Sequence, residues 1–190
     1  MTRIAIFASG SGSNAQNIVE FFNQDNVAEV VLILTNNPNA FVLKRAESLG
    51  VESHVFNKAS FLEEKGVLQT LADNSIECIV LAGFLWKFPK HILNTFKGPV
   101  VNIHPALLPK YGGKGMYGMH VHRAVVENKE TETGITIHHV NEFYDEGAII
   151  FQAKCKVSDS DTPEIVAQKI HNLEMQHVPE VIKQLLVENV

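Results

Sequence analysis

The chain predicts an α/β fold: a mostly parallel, twisted sheet with helices on both faces. Three observations carry that reading. Apolar runs rich in β-branched residues alternate with helix-like segments throughout the 190 residues. One run, CIVLAGF from Cys78, has no polar alternation, as expected of a strand buried on both sides. The first strand also opens into a glycine-rich turn before the first helix, a junction common in doubly wound sheets.

RIAIFAS reads as strand one, followed by Gly10-Ser11-Gly12-Ser13-Asn14 and an amphipathic helix from Ala15 to Phe22. AEVVLILT is strand two, closed by NNPN and a second helix ending at Leu49-Gly50, where glycine suits a C-cap. SHVF is a short strand, and residues 60–73 form a third helix. After CIVLAGF comes a short helix over residues 89–96, then the strand PVVNIHP. A long glycine-bearing loop precedes a helix over residues 120–128. GITIHHV and AIIFQAKCKV are two further strands joined around Tyr144–Gly147. The last helix starts at Thr162-Pro163, with proline at its favoured first position, and Pro179 is expected to kink or interrupt it.

The length fits a single domain over residues 1–190, and a composition 45% hydrophobic and 19% charged is that of an ordinary globular chain. A net charge of -5 argues against a broad electrostatic grip on nucleic acid. An anionic small substrate would need a local positive site such as a helix N-terminus. Cys78 and Cys155 fall in no metal or redox spacing. The N-terminus runs straight into a strand pattern without a leader, and the longest apolar run, Cys78–Trp86, is too short to span a bilayer. A cytoplasmic protein without membrane contact is expected, acting as a monomer or weak homodimer.

Gly10-Ser11-Gly12-Ser13-Asn14-Ala15 satisfies the dinucleotide fingerprint in form. The acidic residue that should close strand two is missing, however, and Thr35-Asn36-Asn37 stands there instead. A phosphate cradle fits better: N–H groups of Gly12, Ser13 and Asn14, with the helix dipole and the Ser13 hydroxyl, can hold a phosphate. The plainer alternative is a tight turn capped by Ser13 or Asn14.

Nine histidines invite a metal reading, but His120/His122 and His138/His139 point to different faces of their elements and match no zinc framework. No metal is expected. His104 differs through its neighbours. Asn102 lies two residues earlier on an extended strand, so both side chains leave one face, and Pro105 stiffens the strand exit. An amide donor beside an imidazole can hold a carbonyl oxygen and move a proton. A nearby carboxylate would raise the imidazole pKa. Asp145 is the candidate, with Glu142 and Glu146 as alternatives.

NIHPALLPKY, GSGSN near residue 10 and LAGF before the N-x-H strand together resemble the 10-formyltetrahydrofolate-dependent formyltransferases, most closely the phosphoribosylglycinamide formyltransferase family of purine biosynthesis. The likeness runs from IAIFASGSGSN to the last helix. It implies a Rossmann-like formyltransferase fold and transfer of a formyl group from 10-formyltetrahydrofolate, as co-substrate, to the amino group of glycinamide ribonucleotide. It implies a catalytic trio of Asn102, His104 and Asp145, supported by His138. It assigns Gly12, Ser13 and Asn14 to the substrate phosphate and Glu174 to the ribose and glycinamide. Leu85, Trp86, Lys87 and Phe88 would line the folate pocket with Val140 on the opposite wall, and Asn102 would also contact the folate.

Several departures from the family pattern matter. Ala106 stands where serine is usual, and GGKGMYGM lengthens the loop before His120, which could fold over the substrates. Trp86 and Lys87 occupy positions often held by arginine and isoleucine, and Lys58 takes the place of a folate-contacting arginine without its bidentate fork. Two other activities share the motifs: a formyltetrahydrofolate hydrolase, and a binding protein without turnover.

Overall fold

Among the residues described by the computed structural model, 1–63 and 65–188, seven strands form one sheet. β1 (Thr2–Phe7), β2 (Ala28–Thr35), β3 (Glu52–Val55), β4 (Cys78–Ala82) and β5 (Val100–His104) run parallel. β6 (Glu132–His139) and β7 (Ile149–Lys156) add an antiparallel meander beyond β5. The order is β3-β2-β1-β4-β5-β6-β7. β1 therefore lies between β2 and β4, and the strand order reverses there. A crevice opens at the carboxyl ends of β1 and β4, where open α/β sheets bind ligands.

Both sheet faces are covered, which is why β4 is buried along its whole length and reads as an unbroken apolar run. On one face α1 (Ser13–Phe22), α2 (Val42–Leu49) and the later half of α7 (Pro163–Glu188) bury Ile18, Ala46 and Ile182 against Ile4, Ile6 and Val80. On the other, α3 (Lys58–Leu62), α4 (Val67–Asp73) and α5 (Lys90–Thr95) bury Phe61, Leu71 and Ile92 against Phe7 and Ile79. Each large apolar side chain removed from water in this way contributes about 1.5–3 kcal/mol before entropy is counted. A smaller cluster packs α6 (Met119–Glu127) and the start of α7 over β6 and β7 through Val125, Ile170, Ile135 and Ala153. Gly50 ends α2 in the left-handed conformation that its C-cap position requires.

Two expectations need correction. The helix expected over residues 60–73, in which residue 64 lies outside the described residues, is two helices. α3 starts earlier, at Lys58, because Asn57 and Ser60 form a reciprocal cap: the Ser60 N–H donates to Asn57 Oδ1 at 2.9 Å and the Asn57 N–H to Ser60 Oγ at 3.2 Å. The chain then folds back so tightly that a Cβ on Gly66 would lie 1.8 Å from the Ser60 carbonyl oxygen.

Pro179 does not interrupt α7, which runs continuously from Pro163 to Glu188. The carbonyl it leaves without a helical donor, that of Met175, accepts instead from Asn17 Nδ2 of α1 at 3.0 Å.

Candidate active site

The glycine turn is fixed from outside. Gly12 occupies the N-cap position of α1 at φ 73°, and a Cβ there would lie 2.3 Å from Val42 Cγ2. The Val42 N–H donates to the Gly10 carbonyl at 3.1 Å, and Arg45 Nε donates to the Ser11 carbonyl at 2.8 Å. The N-cap residue of α1 is Gly12, which has no side chain to cap it, so neither Ser13 nor Asn14 stands where the plainer reading put a cap. The first-turn N–H groups, which a helix cannot satisfy internally, lie on the wall of a cleft of about 680 Å³. Asn14 Nδ2 reaches across to Glu174 on α7, donating to its carboxyl at 3.0 Å. Burial pushes Glu174 up to about 7, and the Asn14 bond offsets only part of that.

Ser9, at the end of β1, ties three strand ends together. Its hydroxyl donates to Asn36 Oδ1 at 2.7 Å and accepts the Leu85 N–H at 3.0 Å, while its carbonyl accepts from Asn37 Nδ2 at 3.4 Å. The asparagines standing where a dinucleotide fold carries its acidic residue thus hold the site's backbone together.

Asn102 and His104 emerge from β5 as the strand period requires, and the β5–β6 register sets Asn102 opposite His138. The β6–β7 register shifts between Ile137 and His138, a bulge at the point where β6 meets the cleft. His138 donates from Nδ1 to the His139 carbonyl at 2.8 Å, so its Nε2 accepts from Asn102 Nδ2 at 3.1 Å. The same amide nitrogen donates to Asp145 Oδ1 at 3.3 Å. Asp145, at φ 57° in the turn before β7, is also held through Oδ2 by the Gly113 N–H at 2.8 Å. Its Oδ1 lies 3.5 Å from His104 Nδ1. His104 donates from Nε2 to the Tyr111 carbonyl at 2.7 Å, which leaves Nδ1 facing the carboxylate. Of the alternatives to Asp145, Glu142 is ion-paired with Lys90 at the rim and Glu146 is exposed.

Burial alone would raise Asp145. The adjoining His138 and His104 rings and the Gly113 N–H outweigh it and hold the carboxyl below its ordinary value. His104 corrects an expectation. Burial lowers its pKa, and the opposing pull of Asp145 and of the Tyr111 carbonyl does not compensate. The carboxylate beside His104 therefore does not raise it above the usual imidazole range, because only 3% of the residue is exposed and desolvation wins.

Leu85, Trp86, Lys87, Phe88 and Val140 line the same cleft, opposite the glycine turn's helix. Trp86 and Phe88 are braced from behind by rings of Phe56, Phe61 and Phe84. Lys58 is not brought to the site: it is exposed in the first turn of α3 and absent from the cleft wall. Sequence reasoning passed over Ser9, Tyr111, Gly113 and His122. His122 is 5% exposed on the cleft side of α6, and its Nδ1 has no hydrogen-bond partner among the described residues. Among the described residues, no three His, Cys, Asp or Glu side chains converge as metal ligands, and no helix is long and apolar enough to cross a membrane.

A strand-end amide, an imidazole and a carboxylate share one cleft with a helix N-terminus on a doubly wound sheet. The family model described as Formyl transferase matches residues 2–182, and the chain belongs to that family. It is 38% identical over 193 residues to phosphoribosylglycinamide formyltransferase of Bacillus subtilis, covering 98% of this chain and 95% of that protein. To the chloroplastic protein of the same name from Arabidopsis thaliana it is 37% identical, covering 99% of this chain but only 66% of that longer protein. The crystal structure of glycinamide ribonucleotide transformylase 1 from Symbiobacterium toebii superposes with a TM-score of 0.90 at 28% identity, covering 99% and 89% of the two chains. That of phosphoribosylglycinamide formyltransferase from Bacillus halodurans gives 0.88 at 31% identity, with 100% and 97% covered.

Proposed function

We propose that the protein transfers the formyl group of 10-formyltetrahydrofolate to the amino group of glycinamide ribonucleotide, giving formylglycinamide ribonucleotide and tetrahydrofolate. The observation that carries this is the meeting, in one cleft, of the uncapped start of α1 with Asn102, His104 and Asp145. The N–H groups of Gly12, Ser13 and Asn14 hold the phosphate, and Glu174 faces the ribose and glycinamide. The folate is a substrate, and its flat rings fit the apolar wall from Leu85 to Phe88 and at Val140.

The acceptor amine attacks the formyl carbon directly, so no protein nucleophile is needed. Two acceptors, His104 Nδ1 and Asp145 Oδ1, face each other 3.5 Å apart and suit the amine's hydrogens. Negative charge builds on the formyl oxygen as the new C–N bond forms. Asn102 donates to that oxygen, exchanging its 3.3 Å bond to Asp145 for one to the developing charge. His104 enters neutral, in keeping with its lowered pKa, and takes the amine proton on Nδ1. Beside Asp145 the resulting imidazolium is stabilised, and it returns the proton to the folate nitrogen as the second C–N bond breaks. Two free thiols, Cys78 and Cys155, suit a reducing compartment such as the cytoplasm.

Turnover of 10-formyl-5,8-dideazafolate, followed by absorbance with and without glycinamide ribonucleotide, tests this. Deformylation should require the ribonucleotide and fall by two to three orders of magnitude in His104→Ala, about 3–4 kcal/mol of barrier. Equal deformylation without the ribonucleotide would make the protein a hydrolase. Ligand binding without any turnover would make it a binding protein.

A further inference from the structure

We infer that Tyr111 and Glu130 are positioning residues for the proton-transfer pair, anchoring a segment whose backbone bonds to both His104 and Asp145. The inference rests on the formyl-transfer reading above. The Tyr111 carbonyl accepts from His104 Nε2 at 2.7 Å, and two residues on, the Gly113 N–H donates to Asp145 Oδ2 at 2.8 Å. A shift of Tyr111–Gly113 would therefore disturb both groups together.

That segment is not held by its own backbone preference. Tyr111 sits at φ 56°, a conformation that side chains other than glycine's disfavour, and the chain beyond it passes through glycines at φ 95°, 89° and 49°. What fixes it is the side chain. The Tyr111 phenol donates to Glu130 Oε1 at 2.9 Å, in the turn between α6 and β6, while its ring packs on the cluster of Ala106, Val121 and Ile135. Glu130 also accepts from Lys110 Nζ at 2.9 and 3.2 Å. Burial and the Glu130 carboxylate push the phenol up to about 12, so it remains a donor over the whole working range. The titratable groups facing His104 are Asp145 and His138, and those facing Glu130 are Lys110 and Tyr111.

With the phenol–carboxylate bond cut, the Tyr111 carbonyl is released from His104 Nε2, and the imidazolium formed during transfer loses an acceptor. Tyr111→Phe and Glu130→Ala should each lower kcat about tenfold, with both KM values changed by less than about twofold. Both should also lower the His104 titration midpoint, read by NMR of the ring carbons and assigned by the signal lost in His104→Ala. Glu130→Gln keeps an acceptor for the phenol and should recover most of the turnover. Unchanged kcat and midpoint in Tyr111→Phe, which deletes one atom, would overturn the inference. So would a kcat loss with no change in midpoint, the mark of a merely structural effect. A wild-type protein without ribonucleotide-dependent turnover would sink the formyl-transfer reading instead, and the NMR midpoints would still judge the positioning role.

Discussion

The Asn102 amide and the His138 ring face each other across β5 and β6 at 3.1 Å, and this bond sets the orientation of both. His138 must carry its proton on Nδ1, because Nδ1 faces the His139 carbonyl at 2.8 Å. Nε2 then faces the Asn102 amide nitrogen at 3.1 Å and Asp145 Oδ1 at 3.6 Å. The Asn102 NH₂ group is thus directed between His138 and Asp145, and under the proposed reaction it is the donor offered to the formyl oxygen.

His138→Ala should therefore free the Asn102 amide to rotate and lower kcat about tenfold, roughly 1.4 kcal/mol, with little change in acceptor KM. Steady-state kinetics on the folded variant measures this. Wild-type kcat would show that Asp145 alone orients the amide.

Glu174 gives the fold a pH dependence of known sign. Its pKa is about 7 in the folded chain against an ordinary 4.5, so between those values the folded state holds more proton than the unfolded one. Stability is full below the lower value, declines as pH rises through the window and levels off above about 7. Glu174→Gln keeps an acceptor for Asn14 and removes the charge. It should raise urea stability at pH 8 by about 1–3 kcal/mol and leave it nearly unchanged at pH 4.5. An equal gain at both pH values would show that the carboxyl does not titrate in this window.

At the glycine turn, Gly12→Ala meets two costs at once, a left-handed φ of 73° and the overlap with Val42. Together they should destabilise the fold by at least about 2 kcal/mol. The turn would also be pushed off its bonds to α2, so acceptor KM should rise more than folate KM. Thermal melting and initial rates check the two halves separately, and an equal rise in both KM values would count against a phosphate role for this turn.

Much of this was legible in the sequence, for local reasons. Strand and helix periods located every strand, and the Asn102–His104 pair follows from the two-residue repeat of an extended chain. Spacing alone left Glu142 and Glu146 beside Asp145 as alternatives; the family resemblance singled Asp145 out, and the fold sets its carboxylate 3.5 Å from His104. The lowered pKa of His104 was not legible at all, since desolvation depends on what covers the ring and not on its sequence neighbours. Tyr111 and Gly113 act through backbone groups, which their side-chain identities do not advertise. Lys58 was assigned by resemblance alone, and the cap at Asn57 that starts α3 leaves it in solvent. At Pro179 the interruption does not occur, and the compensating donor, Asn17, lies 158 positions away from the Met175 carbonyl, beyond what one helix's own sequence reveals.

That compensation is open to direct test. A buried carbonyl without a donor costs about 1–3 kcal/mol, and Asn17 of α1 supplies one to the part-buried Met175 carbonyl of α7. Asn17→Ala should thus destabilise the protein by about 1–2 kcal/mol in urea. Pro179→Ala restores a backbone N–H that can bond to the same carbonyl, although it also removes buried ring atoms. The two changes are therefore best read as a cycle. If Asn17 matters because Pro179 cannot donate, then Asn17→Ala should cost about 1 kcal/mol less in the Pro179→Ala background than in the wild type. Additive effects would mean that Asn17 stabilises the α1–α7 contact in some other way. A smaller cost of Asn17→Ala beside alanine at 179 would establish the side chain as the helix's missing donor, one turn along α1 from the Asn14 that bonds Glu174 in the cleft.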